Sequence, residues 1–260
     1  DNANTSRHPR ASLMCCFSKS VDVVADTNIF ARASKDGRQF LVYSMQFAAD
    51  QDLAMILPIP TPKGSAEDAV KFISLKKYEA FFDDLRKGFP IQKGRGPKKE
   101  PMLGGLGAAL PVVEVGDFIA SFVPAVKDFA RLDEKFRLPE GVWAKLPQYK
   151  EFGFAVFKLK KPDKDLSKVH PMAFEFPRAD KKVLFFPTVH IHDGTVSEKA
   201  DFDHSLFCQV EGNGLMAWDE SAQLAESFVK VKEAHGIVDG NAHVYRKVMK
   251  GEFENKDVLV

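Results

Sequence analysis

The first quarter of the chain alternates between apolar and polar residues as β-strands do. The runs 21–33 and 38–47 alternate with period two, and Lys35-Asp36-Gly37 between them has the composition of a turn. Both faces of the second run are mostly apolar, so we expect a strand that is covered on both sides. The apolar run 53–60 predicts a further strand, which ends at prolines because proline cannot donate to a strand ladder.

Helical spacing of apolar residues appears in three places. Residues 66–87 place apolar side chains near three-to-four spacing with charged residues between them, and Gly88 is a suitable terminator. Shorter helices are predicted at about 124–136 and 219–234. The stretch 93–109 is rich in Gly, Pro and Lys, which predicts a long loop or a hinge.

The middle of the chain returns to strand patterns. Strands outnumber helices and do not alternate with them, so the predicted fold class is α+β, mainly antiparallel β-sheet with a few helices. The last 25 residues are polar and predict no defined element. The later predicted strands are 110–123, 151–160, 171–177, 183–193 and 203–210.

The domain organisation follows from these patterns. Residues 14–260 are expected to form a single α+β domain, and a boundary between two sheet lobes at 93–109 stays open. Residues 1–13 are polar and are expected to be a disordered leader or a vector-derived segment ahead of Met14.

Composition narrows the function classes. The chain has 260 residues, 45% hydrophobic and 28% charged, which is typical of a globular protein. A net charge of +1 gives no indication of nucleic-acid binding. No apolar run approaches the roughly 18 to 20 residues that a membrane span requires, and no clear signal peptide is present. Three cysteines make no disulfide framework, so reduced thiols and a cytoplasmic setting are expected.

The main candidate site is the pair His190 and His192. On a strand, residues two apart project to the same face, so the two imidazoles would lie side by side. If 183–193 and 203–210 form an antiparallel hairpin, His204 lies opposite His192. Three imidazoles on one face would suit a zinc, copper or iron ion with an open coordination position.

Other residues near this predicted hairpin could add ligands. Glu198 lies in the connection, and His170 precedes a strand. Asp203 would point away from His204 in a regular strand and could bind only if the strand is broken. Cys208 lies four residues beyond His204, about 13 Å away by strand rise, so we expect it in the core. The histidine pair does not follow the cupin, metallo-β-lactamase or amidohydrolase patterns, and two ordinary strand histidines are the simpler interpretation.

Cys15 and Cys16 form a second candidate site. If Met14 is the native start, removal of that methionine would expose an N-terminal cysteine that could act as a nucleophile. Adjacent cysteines also bind soft metals, Cu(I) especially. The simpler interpretation is two small buried residues that lead into the first strand. The glycine-rich stretch at 94–107 matches neither the P-loop nor the GxGxxG pattern.

Several segments resemble an uncharacterised bacterial family of hypothetical proteins. The resemblance lies in MCCF, GRQFLVYSM and LAMILPIP in the first quarter, and in HPMAFEFPR, LFFPTVHIHDG and FDHSLFCQ further on. It covers much of residues 14–210 and implies a bacterial origin. It implies no activity.

Three functions therefore stay open from the sequence. The first is a transition-metal-binding protein with zinc, copper or iron held by His190, His192 and His204. The second is a non-catalytic structural or binding protein, and the third is a thiol-dependent enzyme that uses Cys15 or Cys16. No residue is assigned a catalytic role, whether the partner is a small molecule or a protein is left open, and no nucleic acid is expected.

Overall fold

The computed structural model describes residues 16–19, 21–89, 119–138, 141–161, 167–191, 196–212 and 214–260. Several predicted features lie outside these ranges: the leader 1–13, Cys15, the loop 93–109 and His192. None of the helices in the described ranges has the length and apolar character that a membrane crossing requires.

Strands dominate the described residues. In chain order they are β1 Cys16–Phe17, β2 Val23–Ala33, β3 Arg38–Ala48, β4 Leu53–Ile59, β5 Lys71–Ser74, β6 Ile119–Val123, β7 Gly153–Leu159, β8 Ser167–Lys168, β9 Met172–Pro177, β10 Phe185–Phe186, β11 Lys199–Gln209, β12 Asp219–Glu220, β13 Tyr245–Glu254 and β14 Val258–Leu259.

These strands form two large sheets and a two-stranded pair. The first sheet has the order β12-β13-β11-β2-β3-β9-β5, and β8 also pairs with β3. The second has the order β1-β4-β7-β6, and β10 pairs with β14. Among the described strand pairs only β11 with β2 is parallel, which confirms the expectation of mainly antiparallel sheet.

Helices are short. The helix α1 spans Phe81–Lys87, with acidic residues in its first turn and basic residues in its last, the arrangement that the helix dipole favours. The 3₁₀ helices are Lys35–Gly37, Val126–Arg131, Glu134–Phe136, Trp143–Lys145, Pro147–Tyr149 and Ala225–Ser227.

Three clusters of buried apolar side chains lie between the two large sheets and on their outer faces. The largest lies between the two sheets and includes Leu41 of β3 and Met55 of β4. A second covers the outer face of the first sheet with α1 and the segment 225–244. A third covers the outer face of the second sheet with the 3₁₀ helices of 126–149. The central strands of both large sheets are therefore buried on both faces, as the apolar pattern of 38–47 predicts.

The predicted helix 66–87 is wrong over its first part. Residues 71–74 form β5, which pairs with β9 at the edge of the first sheet. Val70 and Phe72 join the cluster between the sheets, whereas Ile73 and Leu75 join the cluster on the opposite face. Apolar side chains here divide between two faces as in a strand, and only the end of the predicted helix is helical.

The predicted helix 219–234 is also wrong. The amide N–H groups of Ala225 and Glu226 donate to the carbonyls of Ala242 and Gly240, at 3.0 Å each. These donors therefore bind a neighbouring segment, and the chain turns in i to i+3 steps at 225–229. By contrast, the predicted helix at 124–136 is present as two 3₁₀ segments.

Two further predictions need correction, one for the segment 183–193 and one for the last 25 residues. Only Phe185–Phe186 of the predicted strand 183–193 pairs as a strand. The last 25 residues, for which the sequence predicts no element, contain the ten-residue strand β13. β13 pairs with β11 along its whole length because β11 is an interior strand that needs a partner on each edge.

Gln39 joins the first sheet to the β10–β14 pair. Its side chain is fully buried. The amide Nε2 donates to the Phe185 carbonyl at 2.7 Å, and Oε1 accepts from the Phe185 N–H at 3.0 Å. A side chain thus satisfies both backbone groups of a strand residue, as a neighbouring strand would.

We expect Gln39→Met to lower the free energy of unfolding by about 2–4 kcal/mol, because it leaves both buried polar groups of Phe185 without a partner at nearly unchanged volume. Urea unfolding followed by circular dichroism measures this. The matched control is Met45→Leu, which is also fully buried in β3 and should cost less than about 1.5 kcal/mol. Equal small losses in both variants would show that the Gln39 bonds contribute little.

Candidate functional site

The candidate histidines lie beside a segment that is held by side chains. We call residues 185–191 the seam segment. Strand pairing stops after Phe186, and Pro187 follows, which has no N–H to donate. From Thr188 onward the backbone N–H groups find acceptors on side chains near the C-terminus.

Asn255 holds the backbone of His190. The His190 N–H donates to Asn255 Oδ1 at 2.7 Å, and Asn255 Nδ2 donates to the His190 carbonyl at 2.8 Å. The same Nδ2 also donates to the Ser197 carbonyl at 2.9 Å. The Asn255 side chain therefore fixes the backbone of His190. It also joins His190 to Ser197, which lie on either side of residues 192–195.

Asp257 holds the preceding two residues. Its carboxylate accepts the N–H of Thr188 at 2.9 Å, the N–H of Val189 at 3.2 Å and the hydroxyl of Tyr149 at 2.6 Å. Burial raises the pKa of Asp257 to about 6, although each of these three hydrogen bonds acts to lower it. Burial and the neighbouring Asp257 also raise the pKa of Tyr149.

The N-terminal strand reaches the same place. Cys16 pairs with Ile56 of β4 and forms an isolated parallel bridge with Ile191. A small cavity is lined by Cys16, Tyr149 and Asp257 together with apolar residues of β4 and the seam segment. The first and last described strands are thus both fastened to the seam segment.

The side chain of His190 stacks in a group of three rings. Its ring lies 4.2 Å from that of Phe202, at an interplanar angle of 28°, and 5.3 Å from that of His204, at 19°. Phe202 and His204 are two apart on β11 and their ring centroids are 5.0 Å apart. All three residues are buried.

Burial determines the charge state of His204. It lowers the pKa of His204 to about 3, so the ring is neutral at physiological pH. Neither ring nitrogen of His204 has a hydrogen-bond partner among the described residues. The stack therefore behaves as part of the apolar core, and the ring nitrogens of His204, which lack a partner among the described residues, are an energetic cost of that position.

The predicted hairpin of 183–193 with 203–210 is wrong. β11 pairs antiparallel with β13 and parallel with β2, so neither of its edges is open to the seam segment. His204 lies opposite Met249 on one side and Thr27 on the other. His190 nevertheless approaches His204, through stacking across the face of the sheet.

The metal site stays a prediction. Lone pairs of an imidazole nitrogen lie in the ring plane, so two nearly parallel rings do not aim their nitrogens at one point. The described residues contain no group of three or more His, Cys, Asp or Glu side chains that could hold an ion. His192, the second ligand of the prediction, lies outside them.

The additional ligand candidates are dispersed. The Asp203 carboxylate accepts the N–H of Asp26 at 3.1 Å and lies 3.7 Å from the Lys250 amine, on the face away from His204 as predicted. The Glu198 carbonyl accepts the N–H of Asn255 at 2.8 Å. The ring of His170 lies 3.2 Å from the carbonyl of Pro171.

The two described cysteines, Cys16 and Cys208, are both buried. Cys208 lies in the cluster between the sheets, which confirms its predicted place in the core. Burial raises the pKa of Cys208 to about 12, so its thiol is protonated and a poor nucleophile. Cys16 is 1% exposed, and Cys15 lies outside the described residues, so a thiol function for the pair stays untested.

Sequence reasoning missed the residues that build this site. Asn255 and Asp257 are close in sequence but lie more than 100 residues from Tyr149, and both fall in the stretch with no predicted element. The one local signal is the polar run Asn255-Lys256-Asp257 directly after alternating β13, which is typical of a turn. That signal predicts a turn and does not identify what the side chains bind.

The layered pair of β-sheets with few helices is a fold found in known structures. The structure of baculovirus P35 matches over 94% of this chain and 98% of that chain, with 12% identity and a TM-score of 0.51. Mutated P35 after caspase cleavage covers 90% and 98% at 12% identity and 0.47. The caspase-8/P35 complex covers 90% and 95% at 12% identity and 0.46. The first of these three similarities, with its TM-score of 0.51, indicates that this chain and P35 share a fold.

The sequence comparisons were negative. No protein-family model matches the chain, and no curated protein sequence matches it significantly. The resemblance to a bacterial family of hypothetical proteins is thereby left untested.

The buried ionisable groups predict a specific pH dependence. Between pH 3 and 6.5 the unfolded chain binds a proton that folded His204 does not, so stability rises with pH by up to about 1.4 kcal/mol per unit. Between pH 3.8 and 6 the folded chain binds a proton at Asp257 that the unfolded chain does not bind. Asp257 therefore makes stability fall as pH rises in this range. From about pH 4 to 6, His204 and Asp257 therefore change the free energy of unfolding in opposite directions.

We therefore expect His204→Phe to reduce the slope of unfolding free energy against pH in this window by about 1.4 kcal/mol per unit. Phenylalanine keeps the ring stack and removes the titrating group. Urea unfolding at several pH values measures the slope. Identical slopes in the variant and in the original chain would mean that His204 titrates normally when folded.

Asp257→Ala should lower the free energy of unfolding by about 2–4 kcal/mol, because two backbone donors and the Tyr149 hydroxyl lose a charged acceptor. Asp257→Asn keeps an acceptor and should lose less. Thermal and urea unfolding compare both with Glu254→Ala, which removes an exposed carboxylate and should change stability by less than about 0.5 kcal/mol. Equal effects of Asp257→Ala and Glu254→Ala would refute the role of Asp257.

Proposed function

We propose that this chain is a non-catalytic binding protein and that its partner is a protease of the caspase class. The observation that carries the proposal is the likeness to P35, which extends over nearly the full length of both chains. P35 is the protein that is found cleaved by a caspase and in complex with caspase-8. A shared fold at 12% identity makes a related partner a reasonable hypothesis for this chain.

The chemistry of the histidine site agrees with a non-catalytic role. The side chains of Asp257 and Asn255 form hydrogen bonds with the backbone of the seam segment. The neutral ring of His204 is buried in a stack of rings. Groups of this kind hold a scaffold in shape, and recognition is then carried out by loops on its surface.

The predicted loop 93–109 is the segment that we assign to the partner. The described residues on either side of it, Phe89 and 119–123, contact the sheets. Before it, the ring of Phe89 lies 6.0 Å from that of Phe207, and the Arg246 guanidinium lies 4.5 Å from the Phe89 ring. After it, β6 pairs with β7 over five residues. Long loops with firmly held ends are common recognition elements, and exposed loops are the usual sites of proteolysis.

The test is inhibition of caspase-8 by the purified chain. With a chromogenic peptide substrate, we expect activity to fall in proportion to added chain until the two are equimolar. Size-exclusion chromatography should show the chain and the protease in one peak. Replacing 93–109 by a Gly/Ser segment of equal length should abolish both effects and change the free energy of unfolding by less than about 0.5 kcal/mol.

The matched control removes two lysines elsewhere, Lys76→Ser with Lys77→Ser, which are exposed between β5 and α1. This variant should inhibit like the original chain, which separates recognition by 93–109 from a general effect of positive charge. Full caspase activity at a tenfold excess of the original chain, with no shared peak, would contradict the proposal. So would unchanged inhibition by the Gly/Ser variant.

A further inference from the structure

Among the described strands, one edge of the second sheet is unpaired, and the strand at that edge carries no protective residue. β6 is the outermost strand in the order β1-β4-β7-β6. Its inner edge pairs with β7 at all five residues, from Ile119 opposite Lys158 to Val123 opposite Phe154. None of the described strands pairs with its outer edge. A row of backbone N–H and C=O groups therefore faces outward from a buried sheet.

The strands β13 and β5, near the two edges of the first sheet, carry charged residues. β13 beyond its short contact with β12 carries Lys247, Lys250, Glu252 and Glu254, and β5 carries Lys71. Charged side chains on an edge oppose pairing with another chain. β6 reads Ile-Ala-Ser-Phe-Val and has no charge, proline or glycine, and its first residue is 62% exposed. Such an edge is suited to receive a further strand.

We propose that β6 pairs antiparallel with β6 of a second copy of this chain, about a twofold axis that passes by Ser121. Two copies related by a twofold axis use the same surface on each side. An axis perpendicular to the sheet keeps the faces of both strands aligned. Centring the axis at Ser121 is the one register at which all five residues of β6 pair.

The side chains in this register complement one another. Ile119 lies opposite Val123 of the second copy, which places two β-branched residues together on one face. Ala120 lies opposite Phe122, a small residue against a large one on the other face. Ser121 lies opposite itself, where the two hydroxyls can hydrogen-bond. Each is a favourable cross-strand combination or a sterically compatible one.

Charges near the edge do not oppose this arrangement. Lys158 lies one strand inward, opposite Ile119, and its amine is 4.6 Å from the ring centroid of Phe136. In the proposed register the two copies of Lys158 lie near opposite ends of the paired strands. The result would be one continuous sheet with four strands from each copy. This inference is independent of any caspase partner.

Cysteine cross-linking tests the register directly. Directly opposed cross-strand Cβ atoms lie about 4.5–5.5 Å apart, near the range that a disulfide can bridge after a small shift. Under mild oxidation we expect Ser121→Cys to form a disulfide-linked dimer, and mass spectrometry should identify two copies of the peptide around position 121 joined to each other. Ile119→Cys alone should not cross-link to itself, but a mixture with Val123→Cys should give a mixed dimer.

Sedimentation of the chain without added cysteines provides the second measurement. We expect a dimer that dissociates on dilution, and Ser121→Lys should weaken it at least tenfold while the circular dichroism spectrum stays the same. A chain that remains monomeric at several hundred micromolar overturns the proposal. So does self-cross-linking of Ile119→Cys that equals that of Ser121→Cys, because the register would then be absent.

Discussion

Side-chain hydrogen bonds that replace strand pairing hold this structure together at the seam segment. Residues 185–191 contact the first sheet through Gln39, the C-terminal residues through Asn255 and Asp257, and the N-terminal strand through the bridge from Ile191 to Cys16. Backbone N–H groups that have no partner in a neighbouring strand donate to side chains instead. They belong to Phe185, Thr188, Val189 and His190. The segment can therefore remain buried without the energetic cost of unpaired polar groups.

Burial of the central strands of both sheets explains the character of the candidate site. The space beside β11 is filled by rings from the sheet and the seam segment, so an imidazole there is stacked and uncharged. A carboxylate can remain in the same region because it accepts three hydrogen bonds, and even so burial raises its pKa. These features serve stability.

Local patterns predicted the strands well because each of them alternates within its own sequence. β2, β3, β4, β7, β9 and β11 all follow such runs. Helices failed where tertiary pairing decided the outcome: β5 exists because β9 is beside it, and Ala225 and Glu226 donate to carbonyls of residues 240–242. The histidine hairpin failed for the same reason, since no pattern within 183–210 reveals that β2 and β13 occupy both edges of β11. Asn255 and Asp257 could not be predicted because their partners in the seam segment are 65 or more residues away.

Side-chain hydrogen bonds hold the seam segment in place within the layered sheets. Hydrogen–deuterium exchange of the backbone amides of Thr188, Val189 and His190 tests this most directly. If Asp257 and Asn255 hold these amides as described, they should exchange as slowly as amides of β11, although they lie outside any strand. Exchange as fast as that of the exposed turn at 35–37 would contradict this view.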